Sequence, residues 1–153
     1  MAVVTGYGTG YKDPAALNPV SAVFAEGTEK SINSQISIAN GDSATSVYYV
    51  GKVPSNALIS PRSNVFVPAT AGLTDYSLGF TGAPKALMSS VDVHLGGTFS
   101  AVSAVAVTNY IQRAWQLAGL ASDPGGMLDV FVTLGAAAGA AALVHNEIIF
   151  KKA

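Results

Sequence analysis

The sequence predicts an all-β chain folded as an antiparallel sandwich or barrel, with one short helix and an extended N-terminal arm. Three observations carry this. A clean two-residue period runs from Lys30 to Ile38; β-branched and aromatic runs are separated by Pro, Gly and Asn turn signals; no repeat with a period of roughly 20 to 50 residues is present. Many short strands with frequent turns favour two packed antiparallel sheets over alternating βα units.

Residues 1–29 read as the arm. Gly6, Gly8 and Gly10 alternate with Tyr7, Thr9 and Tyr11, and Pro14 and Pro19 forbid a long helix. Aromatics spaced along such an arm are candidate partner contacts, here Tyr7, Tyr11 and Phe24, ordering when laid against a partner. The sandwich domain is expected over 30–153. Its first strand places Ile32, Ser34, Ile36 and Ile38 on one face and Ser31, Asn33, Gln35 and Ser37 on the other.

Asn40-Gly41-Asp42 signals a turn. A strand from Val47 to Val53 ends at Pro54-Ser55-Asn56; short strands at Ala57–Ser60 and Val65–Val67 stop at Pro61 and Pro68. Tyr76, Leu78 and Phe80 alternate with Asp75, Ser77 and Gly79, which predicts a strand buried on one side. Pro84–Ser90 reads as a helical turn and Ala101–Val107 as a buried strand.

Asn109 offers an N-cap with Gln112 three residues on, and Gly119 a C′ position, for a helix of about ten residues. Trp115, at helical spacing with Ile111 and Ala118, reads as the core anchor of that helix. Ser122-Asp-Pro-Gly-Gly126 predicts a type II turn. Met127–Leu134 and Leu143–Phe150 close the chain as strands. The Gly/Ala run 135–142 between them is either a compliant hairpin loop or a close-packing surface.

Half of the residues are apolar and only 11% are charged, against about 25% in an ordinary soluble domain. Surface charge keeps copies apart, so a chain this poor in it is expected to spend surface on contacts with other chains. Eight basic and nine acidic residues balance to −1, without the cationic stripe that nucleic-acid binding needs. The absence of cysteine excludes disulfides, thiolate metal sites and cysteine nucleophiles, and suits assembly in a reducing cytoplasm. The start has no secretory pattern, and the apolar stretch Gly135–Val144 falls short of the roughly 20 residues of a membrane span. A soluble chain that contacts no membrane is expected.

Candidate chemistry is thin. Gly6, Gly8 and Gly10 imitate a phosphate loop, but the spacing is GxGxG, no Lys-Ser/Thr pair follows, and Pro14 and Pro19 occupy the place of the helix. Asp92 with His94, and His145 with Glu147, would point the same way on strands and could hold a metal only if all four converged. There is no GxSxG elbow, and the scattered Asp and Glu single out no catalytic pair. No enzyme activity, cofactor or metal is expected.

The ordered landmarks resemble a known family. They run from Ser31–Ile38 through Gly41–Ala57, with its Val53-Pro-Ser-Asn-Ala57 segment, and Tyr76–Phe80, to Ala114–Gly126 and a last strand pair around the Gly/Ala run. This order is similar to that of the capsid decoration, or head cement, proteins of tailed bacteriophages, over roughly residues 30–150. The resemblance implies a jelly-roll-like β-sandwich and a non-enzymatic virion protein on the capsid exterior. Its implied partners are the major capsid protein and further copies of itself, as a dimer or trimer, whose joint effect is to clamp neighbouring capsomers. A tail, neck or fibre component would share the composition. A carbohydrate-binding jelly roll would instead expose Trp115 or several tyrosines along a groove.

Overall fold

The computed structural model describes Val3, Thr5–Tyr7 and residues 29–152. Ten strands form two sheets: β1 Thr5–Tyr7, β2 Glu29–Ile38, β3 Val47–Pro54, β4 Ala57–Ile59, β5 Asn64–Val67, β6 Tyr76–Phe80, β7 Ala83–Val91, β8 Gly97–Ser100, β9 Met127–Leu134 and β10 Ala142–Lys152. One sheet has the order β1-β3-β9-β6-β7; the other has β2-β10-β5-β8, with β4 also pairing β10. The expected all-β sandwich is therefore present.

Its topology is that of one long antiparallel ribbon rolled up. Strands β2, β3, β5 and β6 pair with β10, β9, β8 and β7 respectively. Successive rungs alternate between the two sheets, and β10–β5 and β9–β6 pairing then closes each sheet. Eight strands wound in this order make a jelly roll.

Period-two sequence drives the burial. Ser34, Ile36 and Ile38 of β2 face inward against Val144, Asn146 and Ile148 of β10, while Val130, Val132 and Leu134 of β9 face the same core from the other sheet. Each large aliphatic side chain so buried contributes about 1.5–3 kcal/mol. Two polar links hold the layers at fixed depth. Tyr76 Oη donates to Asn146 Oδ1 across the sandwich at 3.0 Å. Tyr48 donates to the Asp42 carboxylate, which also accepts the Ala39 N–H at 2.8 Å.

Several expectations are corrected. β6 is buried on both sides, Ser77 and Gly79 included. The reason is β7, bulged twice against β6, which folds its backbone over Gly79. Residues Pro84–Ser90 are part of that strand, not a helical turn. Ala101–Val107 is no strand: it runs through turns, and Ala101, Val102 and Val105 plug the end of the core. The helix, α1, covers only Ala114–Leu117 with Arg113 as N-cap, whose N–H donates to the Gln116 side chain at 2.8 Å. Its buried contacts are Ala114 and Ala118; Trp115 is half-buried and lies outside the core cluster.

The 122–126 segment closes on the Asp123 side chain, which accepts the Gly125 N–H at 2.9 Å. The Gly/Ala run 135–142 is not a hairpin, because β9 and β10 lie in different sheets. It is the close-packing surface. Ala138 N donates to Asp42 O, Gly41 N donates to Ala138 O, and Gly139 N donates to Ala71 O, each at 2.9 Å.

Two outcomes test this packing. A Cβ at Gly79 would overlap the Ala83 carbonyl and the Pro84 backbone, whereas one at Gly82, φ +81°, meets nothing within 4 Å. Urea unfolding should show Gly79→Ala losing about 3 kcal/mol or failing to fold. Gly82→Ala should lose about 1 kcal/mol, from backbone strain alone. Burial, reinforced at Tyr48 by Asp42, raises the hydroxyl pKa of both Tyr48 and Tyr76 above the ordinary tyrosine value. Each holds its proton more tightly folded than unfolded. Stability is therefore complete below about pH 10 and falls above it, by about 1.4 kcal/mol per pH unit for each tyrosine. Denaturant titrations from about pH 9 to about 11.5 should show a flat limb to about pH 10 and then a slope growing toward two protons, which Tyr76→Phe reduces toward one.

Candidate functional site

Alternating strand direction sends consecutive loops to opposite ends of the sandwich. At one end, segments 39–46, 68–75, 92–96 and 135–141 are stitched together by backbone hydrogen bonds, among them Thr70 N to His94 O at 2.8 Å and Val93 N to Leu73 O at 3.0 Å. Leu95 stands out from this end, 79% exposed. Beside it His94 Nδ1 lies 2.5 Å from Asp92 Oδ1, and the hydrogen bonds from His94 hold the Asp92 carboxyl below the usual carboxylate range.

The other end carries the 101–126 excursion between β8 and β9. Its backbone is fixed to the sandwich: Ala101 N donates to Ser63 O, Ala104 N to Leu87 O and Trp115 N to Ser55 O, each at 2.9 Å. A bridge between Leu58 and Arg113 adds to these. A hydrogen bond from the Ser55 side chain, then one from the Gly125 N–H, lowers the pKa of Asp123. With its small side chains turned inward, the excursion turns large apolar ones outward. Val107 is 80% exposed and Ile111 82%, Leu120 is exposed to a lesser degree, and so is Met127 where β9 begins. A cleft beside them is lined by Leu58, Pro61, Tyr110, Ile111 and Lys151.

A third surface is the outer face of β2-β10-β5-β8. Register sets two rows across four strands: Gln35–His145–Phe66–Thr98 and Asn33–Glu147–Asn64–Ser100. Phe66 and His145 meet edge to face with ring centroids 5.8 Å apart, and Leu143 is exposed on the same side of β10. Within these two rows Glu147 is the one carboxylate and no Lys or Arg occurs. These two rows resist close approach by another protein far less than a charged strip would, while Glu29, Lys151 and Arg62 hold the charge at one end of the face.

Among the sequence-predicted residues, Tyr7 lies in β1, opposite Tyr49 of β3. Tyr11 and Phe24 lie outside the described residues, as do Gly8 and Gly10 of the phosphate-loop imitation. Gly6 is in a strand, not at a helix N-terminus. His94 and His145 each keep to their own surroundings, and among the described residues no group of three or more His, Cys, Asp or Glu could hold a metal. No helix of the described residues is long and apolar enough to cross a membrane. Val107 and Ile111 are surface residues that the sequence pattern places in a strand and on the core side of a helix.

No family model and no curated protein matches the chain. Two solved structures share its fold. A chain from the capsid of Ralstonia phage GP4 superposes with a TM-score of 0.67 at 14% identity, covering 99% of both chains. A chain from the cyanophage Pam1 capsid asymmetric unit gives 0.56 at 13% identity, covering 90% of this chain and 99% of that one. At such identities the likeness is one of fold.

Proposed function

We propose that this chain is a non-enzymatic structural protein of a bacteriophage virion, a decoration protein that binds the outside of the capsid lattice and clamps neighbouring capsomers. Its partners are the major capsid protein and further copies of itself, and it joins the shell in the host cytoplasm. Residues 1–29 act as the arm and 30–153 as the rigid block. The observation that carries this reading is the end-to-end match in both directions with a chain of similar length in a phage capsid structure.

The surfaces suit that task. The exposed apolar side chains Val107 and Ile111, on a backbone pinned to the sandwich, lose little entropy on docking, and Leu120 and Met127 expose further apolar surface. The two central rows of the β2-β10-β5-β8 face, with Glu147 as their one carboxylate, let identical copies pack closely there. Each contact can be weak, because repetition over a closed lattice multiplies it.

Two experiments on capsids stripped of this protein test the reading. Removal of residues 1–25, with β1, Tyr11 and Phe24, should abolish attachment and leave the 30–153 sandwich folded by circular dichroism, with at most a small drop in unfolding midpoint from the lost β1–β3 ladder; unchanged attachment would show that the arm is no contact. The double variant Val107→Ser/Ile111→Ser should bind at least ~30-fold more weakly, since each lost apolar contact is worth about 1–2 kcal/mol. Wild-type protein that fails to sediment with such capsids at micromolar concentration sinks the whole proposal.

A further inference from the structure

We infer that β1 is exchanged between copies: Thr5–Tyr7 of one chain completes the β3 edge of the next, so that the oligomer is held by arms seated on one another's sandwiches. The inference rests on the many-copy reading above and deepens it by naming the contact.

The β3 edge is the one that β1 occupies in this chain, so it fits an identical strand from another copy. Without β1, Val47–Pro54 would end its sheet with open N–H and C=O groups. The strand that covers it has three residues, with Thr5, Gly6 and Tyr7 opposite Val47, Tyr48 and Tyr49. It runs parallel to β3, whereas every other pairing in both sheets is antiparallel. A three-residue parallel ladder is weakly held and readily replaced by an identical one.

The connection to the rest of the chain is much longer than a local return requires. Ile32 of β2 packs on Gly51 of β3, where an added Cβ would meet Ile32 Cγ2 at 2.8 Å. Tyr7 sits two residues before Gly51 in β3 register, and Glu29 three residues before Ile32 in β2. At about 3.3 Å per residue and about 10 Å between sheets, the gap from Tyr7 to Glu29 is about 20 Å. Residues 8–28 can span up to about 70 Å. A tether with that surplus reaches the equivalent edge of an adjoining copy, and exchanging identical strands round a closed ring sacrifices no contact.

The absence of cysteine makes the test clean. Thr5→Cys is placed in a full-length chain carrying a size tag, and Val47→Cys in an untagged full-length chain. The two are unfolded together, refolded at about 100 µM and bridged with a short bis-maleimide. Exchange predicts a mixed-size cross-linked species as the main product, at least ~10-fold above a control pairing Thr5→Cys with Lys85→Cys on the far edge. The inference is overturned if mixed-size product stays at the control level, whether the double variant Thr5→Cys/Val47→Cys then bridges within one chain or not at all. Because no capsid is present, the result is independent of shell binding: exchange without attachment would refute the decoration reading alone, and attachment without exchange this inference alone.

Discussion

The rung pairing of the rolled ribbon is the constraint on which everything else hangs. Each rung joins a strand from the first half of the chain to one from the second, from the tight β6–β7 turn out to β2 with β10. The outer rungs therefore close loops of a hundred residues or so, an entropy cost recovered only when both sheets bury their inner faces together. Such non-local pairing folds slowly. It also makes the block cooperative, because no rung has a complete core until its neighbours in the opposite layer are present.

The polar atoms placed inside the core fit that picture. Ser34 and Asn146 are register partners on β2 and β10, both fully buried; Tyr76 donates to Asn146 Oδ1 from the opposite sheet, while Ser34 Oγ and Asn146 Nδ2 have no hydrogen-bond partner among the described residues. Near the strand ends Ser63, also buried, donates to the Ser60 carbonyl and accepts the Ile149 N–H, tying the β4–β5 turn to β10. Apolar burial would tolerate a one-residue slip in such strands only by turning every side chain over. Buried hydrogen bonds between named partners penalise smaller displacements too, since a stranded polar atom costs about 1–3 kcal/mol.

Much of this was legible in the sequence where period and punctuation agree. β9 falls at Met127–Leu134 as expected, and β2 shows the inward Ser and Ile positions read from its alternation. The failures have one physical origin: residues whose local preference is overruled by distant partners. Lys85, Ala86, Leu87 and Met88 are good helix formers, yet they lie in β7 because β6 is two residues away across a turn. The Ala101–Val107 run was read as a strand from its apolar content, while only three of its residues reach the core. Val107 and Ile111 lie in an irregular segment without a period, so nothing in their spacing separates an apolar residue facing water from one facing the core. The candidate contact surface was thus the least readable part of the chain. Its general cause, the shortage of charge, was the most readable.

The twice-bulged β7 has a consequence at the level of crowding. A protein made in many copies and packed side by side must keep its outermost strands from laddering onto those of its neighbours, and a straight edge would invite growth into fibres. The irregular spacing forced on β7 by its mismatch with β6, together with Pro84 and Lys85 near its start, offers an incoming strand no regular row of donors and acceptors. That margin of the molecule is closed to uncontrolled stacking, so growth by strand addition is denied on that side even at very high local density.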